Sequence, residues 1–74
     1  MTVEEWLAAY AAALGQPAPS EAEMASILRL ASVAAHASER RAAPIACWIA
    51  AQAGVPLDEA LRLGDAIAPP ADRP

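Results

Sequence analysis

Thr2 and Ser20 each stand three residues before a glutamate, in "TVEE" and "SEAE". At this spacing the hydroxyl accepts the glutamate's backbone N–H while the carboxylate reaches back to the first amide, so each pair marks the start of a helix. Two such capping boxes within 74 residues leave room for little besides short helices. After Thr2, the residues Val3, Trp6, Leu7, Tyr10 and Leu14 recur at intervals of three and four, one face of a 3.6-residue period, and Gly15 supplies a left-handed stop. "GQPAPS" connects this helix to a second, which is expected to begin at Ser20 and run at least to Ala37. Met24, Ile27, Leu28, Ala31 and Ala35 form its main apolar face, and Leu30 and Val33 widen the arc, which makes it the central helix.

Pro44 suits the first turn of a third helix, where its missing N–H is unpaired in any case, and it biases Ala43 away from helical geometry. Ile45, Trp48 and Ile49 anchor that helix, Ala46, Ala50 and Ala53 permit close approach, and Gly54 ends it. Pro56 opens a fourth, in which Leu57, Leu61 and Ile67 face inward and Asp58 and Glu59 suit the positive N-terminal end. Period-two alternation of β-branched and aromatic residues is absent. The expected fold is therefore all-α, a compact bundle of four short helices over residues 1–68, with a disordered C-terminal tail at 69–74.

Composition enters where the core is counted. The hydrophobic fraction is 57%, but more than half of it is alanine, which favours helices and contributes little apolar area per residue. The expected core is therefore thin: Trp6, Leu7, Tyr10, Leu14, Met24, Ile27, Leu28, Leu30, Val33, Ile45, Trp48, Ile49, Val55, Leu57, Leu61, Leu63 and Ile67. A domain this short buries a small share of its surface, so a homodimer or a docked partner is expected to support it.

Charge and motifs narrow the function classes. The net charge of -4 repels phosphate backbones and anionic membranes, which argues against nucleic-acid and membrane partners. The start "MTVEEW" carries acids where a signal peptide needs a basic region, and no apolar run approaches a membrane span, so a cytoplasmic location is expected. Cys47 and His36 lack a third orienting group and fall short of a zinc ligand set, so no catalytic centre, metal site or cofactor is expected, and Cys47 reads as a packing residue. "IAAQAGVPLDEALRLGDAI" has the outline of a helix-turn-helix, yet its second helix sets Asp58, Glu59 and Asp65 against Arg62 alone and reads as a plain helical hairpin. Trp6, Tyr10 and Trp48 read as core anchors rather than as a platform for a flat ring.

"HASERRAAP" is the one stretch that stands out. Arg29, Ser32, His36 and Arg40 align along one stripe of a continuing second helix, Glu39 is a neighbour of His36, and Arg41 follows. In one reading Arg40 and Arg41 complement the negative end of helix 2 and pair with Glu39. In the other, Arg29, His36, Arg40 and Arg41 form an anion- or partner-binding site beside the first amides of helix 3.

The early tryptophan of "VEEWLAAYAAALG" and the run "LRLASVAAHASERRAAPIACWIAAQAG" resemble a small actinobacterial family, the DUF6457 domain. The resemblance spans Thr2 to Gly54 and carries over Trp6, His36, Arg40 or Arg41, Ala43, Pro44 and Gly54. The chain departs in having "ERR" where an arginine followed by proline is expected, which leaves open which arginine corresponds. Members of that family stand alone or fused behind a molybdenum cofactor guanylyltransferase. The resemblance thus implies a non-catalytic accessory or protein-interaction domain near molybdopterin guanine dinucleotide synthesis or delivery, with that guanylyltransferase as the implied partner. The alternative is a free-standing homo-oligomeric regulator without a ligand.

Overall fold

Both capping boxes form. Thr2 Oγ1 accepts the Glu5 N–H at 3.1 Å and the Thr2 N–H donates to Glu5 Oε1 at 2.8 Å; at Ser20 the corresponding bonds to Glu23 are 3.1 and 2.7 Å. In the computed structural model, which describes residues 1–67, they open α1, Val3–Ala13, and α2, Glu21–Ala37; α3, Ala42–Ala53, and α4, Leu57–Asp65, complete an all-α bundle of four helices. No strand occurs among the described residues. The expected tail at 69–74, and the last residue of the expected domain, lie outside them.

The stops are equally local. Gly15, at φ 70°, donates to the Ala12 carbonyl while Gln16 donates to that of Ala11, the paired bonds of a Schellman ending. Gly54 ends α3 at φ 72°. Helix α2 ends without glycine: both the N–H and the hydroxyl of Ser38 donate to the Ala34 carbonyl, each at 3.1 Å. Helix α3 starts two residues before Pro44, and Ala43 is helical despite the proline that follows it. A turn leads into it, in which Ala42 donates to the Glu39 carbonyl and Ala43 to that of Arg40. Pro56 takes the extended cap position of α4 rather than its first turn.

Helix α2 is central, as its wide apolar arc requires: α3 and α4 both pack on it, and no other pair of helices makes a comparable interface. Helix α4 lies close on α2 at Gly64, where an added Cβ would stand 3.1 Å from Leu30 Cδ1. The packing overturns most of the expected core. Among the described residues only Ala11, Leu30 and Ala60 are buried, while Trp6, Tyr10, Trp48 and Leu28 stand 52, 51, 64 and 65% exposed. Leu14, Ile45, Ile49, Val55, Leu63 and Ile67 are exposed too. The cause is the alanine at the contacts. Small side chains let two helices touch, but they do not bring a third across the flanks, so the large residues beside each contact meet solvent.

Candidate functional site

His36 and Arg29 lie on α2, seven residues and therefore about 10 Å apart along the axis. The His36 ring turns back on its own helix: Nδ1 lies 2.8 Å from the Ser32 carbonyl oxygen and 3.1 Å from Ser32 Oγ. Because Ser38 ends the helix, Glu39 and Arg40 do not continue the stripe, and the expected alignment with His36 does not form. Arg40 and Arg41 sit in the turn before α3. Glu39 forms an ion pair with Arg41, whose Nε lies 2.6 Å from Oε1, with both side chains well exposed. Among the described residues Arg29 and Arg40 have no ion-pair partner.

The start of α3 does not provide the amides that the anion reading needs. The N–H groups of Ala42 and Ala43 are used by the turn, and Pro44 has none. At the end of α2 and in the turn after it the chain carries a short exposed run of His36, Glu39, Arg40 and Arg41, with Arg29 two turns back on α2. Exposed cations of this kind attract an anionic surface. The cavity that borders the run, about 440 Å³, is lined by Ser38, Glu39, Arg41, Ala42, Ile45, Ala46 and Ile49.

Other residues fall away from chemistry. Cys47 is half-buried, with its Sγ 3.9 Å from the Ile27 carbonyl, so it packs against α2 and is not paired with His36. Among the described residues no three His, Cys, Asp or Glu side chains gather as a metal set requires. Arg62, the lone cation of the helix-turn-helix outline, is committed to Glu59: Nε donates to Oε1 at 2.9 Å and Nη2 to Oε2 at 2.7 Å. The fork holds the Glu59 carboxyl below its usual range and the Arg62 guanidinium above its own. Among the described residues no helix is long and apolar enough to cross a membrane.

The sequence reading took one feature for core anchors and missed another. One is the stack of Trp6 on Tyr10, with ring centroids 5.0 Å apart and planes 26° from parallel; their i, i+4 spacing was the available signal. It is an exposed aromatic face. The other is an apolar groove of about 310 Å³ between α3 and α4, floored by Leu30 and walled by Ile49, Val55, Ala60 and Leu63. No polar side chain lines it, which sets it apart from small-molecule sites, where a few polar groups fix the ligand.

Over residues 1–71 the chain matches a family described as a domain of unknown function, DUF6457. The match extends past Gly54 through α4, which the resemblance read from the sequence left out. No curated protein and no solved structure matches the chain.

Proposed function

This chain belongs to the DUF6457 family, and we propose that it is a non-catalytic accessory domain that acts by binding another protein in the cytoplasm. The observation that carries this reading is the distribution of its large apolar side chains: Trp6, Tyr10, Ile45, Trp48 and Ile49 are all more than half exposed, and exposed apolar patches of this kind mark interaction surfaces. No residue acts catalytically in this reading, and the chain holds no cofactor or metal of its own. The family resemblance supports a partner in molybdenum cofactor chemistry, a guanylyltransferase or its molybdopterin nucleotide product. Arg29, His36, Arg40 and Arg41 then supply the cationic contacts to an acidic face of that partner or to the phosphates of the nucleotide.

Calorimetric titration with the guanylyltransferase, molybdopterin and guanine nucleotides, at low and moderate salt, tests this reading. The wild type is expected to bind at least one of them, and Arg40→Ala/Arg41→Ala to bind it at least about tenfold more weakly, with the difference narrowing as salt rises. Equal binding by both proteins would remove the arginine cluster from the proposal. Absence of binding across the set would remove the molybdenum cofactor partner.

A further inference from the structure

We propose that two copies of this chain associate reciprocally, each laying the Val3, Trp6, Tyr10 and Leu14 face of its α1 into the other's groove between α3 and α4. The proposal rests on the reading of the chain as an interaction domain and names one partner for its apolar surface.

Three observations carry it. The first is area. The chain exposes 5748 Å², whereas a folded monomer of 7.6 kDa exposes about 4,300 Å². Setting aside the most that residues 68–74 could contribute, about 1,000 Å², and lowering the reference to about 4,000 Å² for residues 1–67, an excess of about 700 Å² per copy remains. Two copies would then bury about 1,400 Å² between them, within the range of stable specific interfaces.

The second is shape and chemistry. Leu7 and Ala11 are the covered positions of α1, half-buried and buried, and they lie to one side of the Val3, Trp6, Tyr10 and Leu14 stripe, which is left more than half exposed. The groove is wholly apolar in its side chains. An amphipathic helix with anchors at i, i+4 and i+8 is the occupant that such a groove accepts. Helices α1 and α3 have 11 and 12 residues, so α1 can span the groove wall from end to end.

The third is charge. The first 25 residues hold Glu4, Glu5, Glu21 and Glu23 and no basic side chain, and every arginine comes later. Setting the Glu4 and Glu5 end of α1 beside Arg40 and Arg41 at the start of the other copy's α3 pairs opposite charges. That choice directs Trp6 toward Ile45 and Ile49 and runs α1 parallel to the α3 that receives it. A two-fold axis makes the two seats identical, as closed homodimers require.

The experiment is sedimentation velocity on the full chain from micromolar to millimolar concentration, for the wild type, Trp6→Ala, Ile49→Arg and an equimolar mixture of the two variants. Both substituted positions are exposed in the single chain, and far-UV circular dichroism checks that each variant stays helical. The wild type is expected to dimerise. Losing an aromatic anchor at two seats, about 30-fold each, should weaken Trp6→Ala association about a thousandfold, and the charge of Ile49→Arg should act similarly from the groove side. In the mixture, the Ile49→Arg copy supplies an intact α1 and the Trp6→Ala copy an intact groove, so one seat is restored and a heterodimer forms. A wild type that stays monomeric at millimolar concentration overturns the proposal, as do variants that dimerise normally or a mixture that does not recover. Those results would leave the broader reading standing, because it is tested separately by titration with other proteins.

Discussion

The two capping boxes are chemically alike but sit on helices that differ in packing, so removing each in turn measures how far cooperativity extends along the chain. Ser20→Ala deletes the hydroxyl that accepts the Glu23 N–H at 3.1 Å, while the backbone N–H of residue 20 keeps its 2.7 Å bond to the Glu23 carboxylate. Losing an N-cap of this kind costs about 1 kcal/mol. Because α3 and α4 both pack on α2, that loss falls on the whole fold and should lower the thermal midpoint by about 4–8 °C for a domain of this size. Thr2→Ala removes the equivalent hydroxyl bond from α1, which makes no comparable interface. In dilute solution its cost should be spent on local fraying, with reduced helical signal before the transition and a midpoint within about 2 °C of wild type. Ser26→Ala, inside α2, serves as the control. Thermal melts followed by far-UV circular dichroism at micromolar concentration decide the matter. Equal shifts for Ser20→Ala and Thr2→Ala would refute the separation of α1 from the cooperative unit, and an unshifted Ser20→Ala would refute the cap.

Gly64→Ala places a methyl group 3.1 Å from Leu30 Cδ1, but Leu30 borders a cavity of about 290 Å³ into which it can move. The gain in helix propensity, about 1 kcal/mol, should then win and raise the thermal midpoint by several degrees, whereas Gly64→Val should lower it. For Glu59, the hydrogen bond and charge of Arg62 depress the folded carboxyl. The stability this contributes is therefore complete above the usual carboxylate range and lost as pH falls through the depressed value. Melts of the wild type and Glu59→Gln should differ at neutral pH and converge in acid; a gap that widens in acid would contradict the assignment.

What was legible in the sequence is what acts within about four residues. The hydroxyls of Thr2 and Ser20 and the glycines at 15 and 54 each constrain backbone beside them, whereas Pro44 does not keep Ala43 out of α3. The core was not legible in the same way. Periodicity shows that Val3, Trp6, Tyr10 and Leu14 share a face, but the same period serves a face covered by the chain's own helices and one covered by another molecule. The cationic stripe failed for a different reason. Extending α2 past Ala37 would have aligned Arg40 with His36, but the Ser38 hydroxyl bonds back to Ala34 and turns the chain out of the helix. The sequence reading put Arg29, His36 and Arg40 on one helical stripe with Arg41 after it; in the structure Arg40 and Arg41 lie in the turn beyond α2, with Glu39 paired to Arg41.

Folding and the proposed association of this chain are then parts of one equilibrium. With Leu30 as the only large side chain buried among the described residues, the isolated copy has little apolar burial to set against its conformational entropy, which at this chain length is of the same order as the gains. A second copy that binds only the folded state adds RT ln(1 + [L]/Kd), about 2.7 kcal/mol when the free concentration is a hundred times Kd. That addition is a large share of the stability of a marginal domain. The thermal midpoint of the wild type should therefore climb with protein concentration, while that of Trp6→Ala should stay flat over the same range. Thr2→Ala separates the contributions further: nearly silent in dilute solution, it should lower the midpoint once α1 is seated in another copy, because a frayed helix must be ordered before it docks. A wild-type midpoint independent of concentration from micromolar to millimolar would break this link and assign the stability to the single chain.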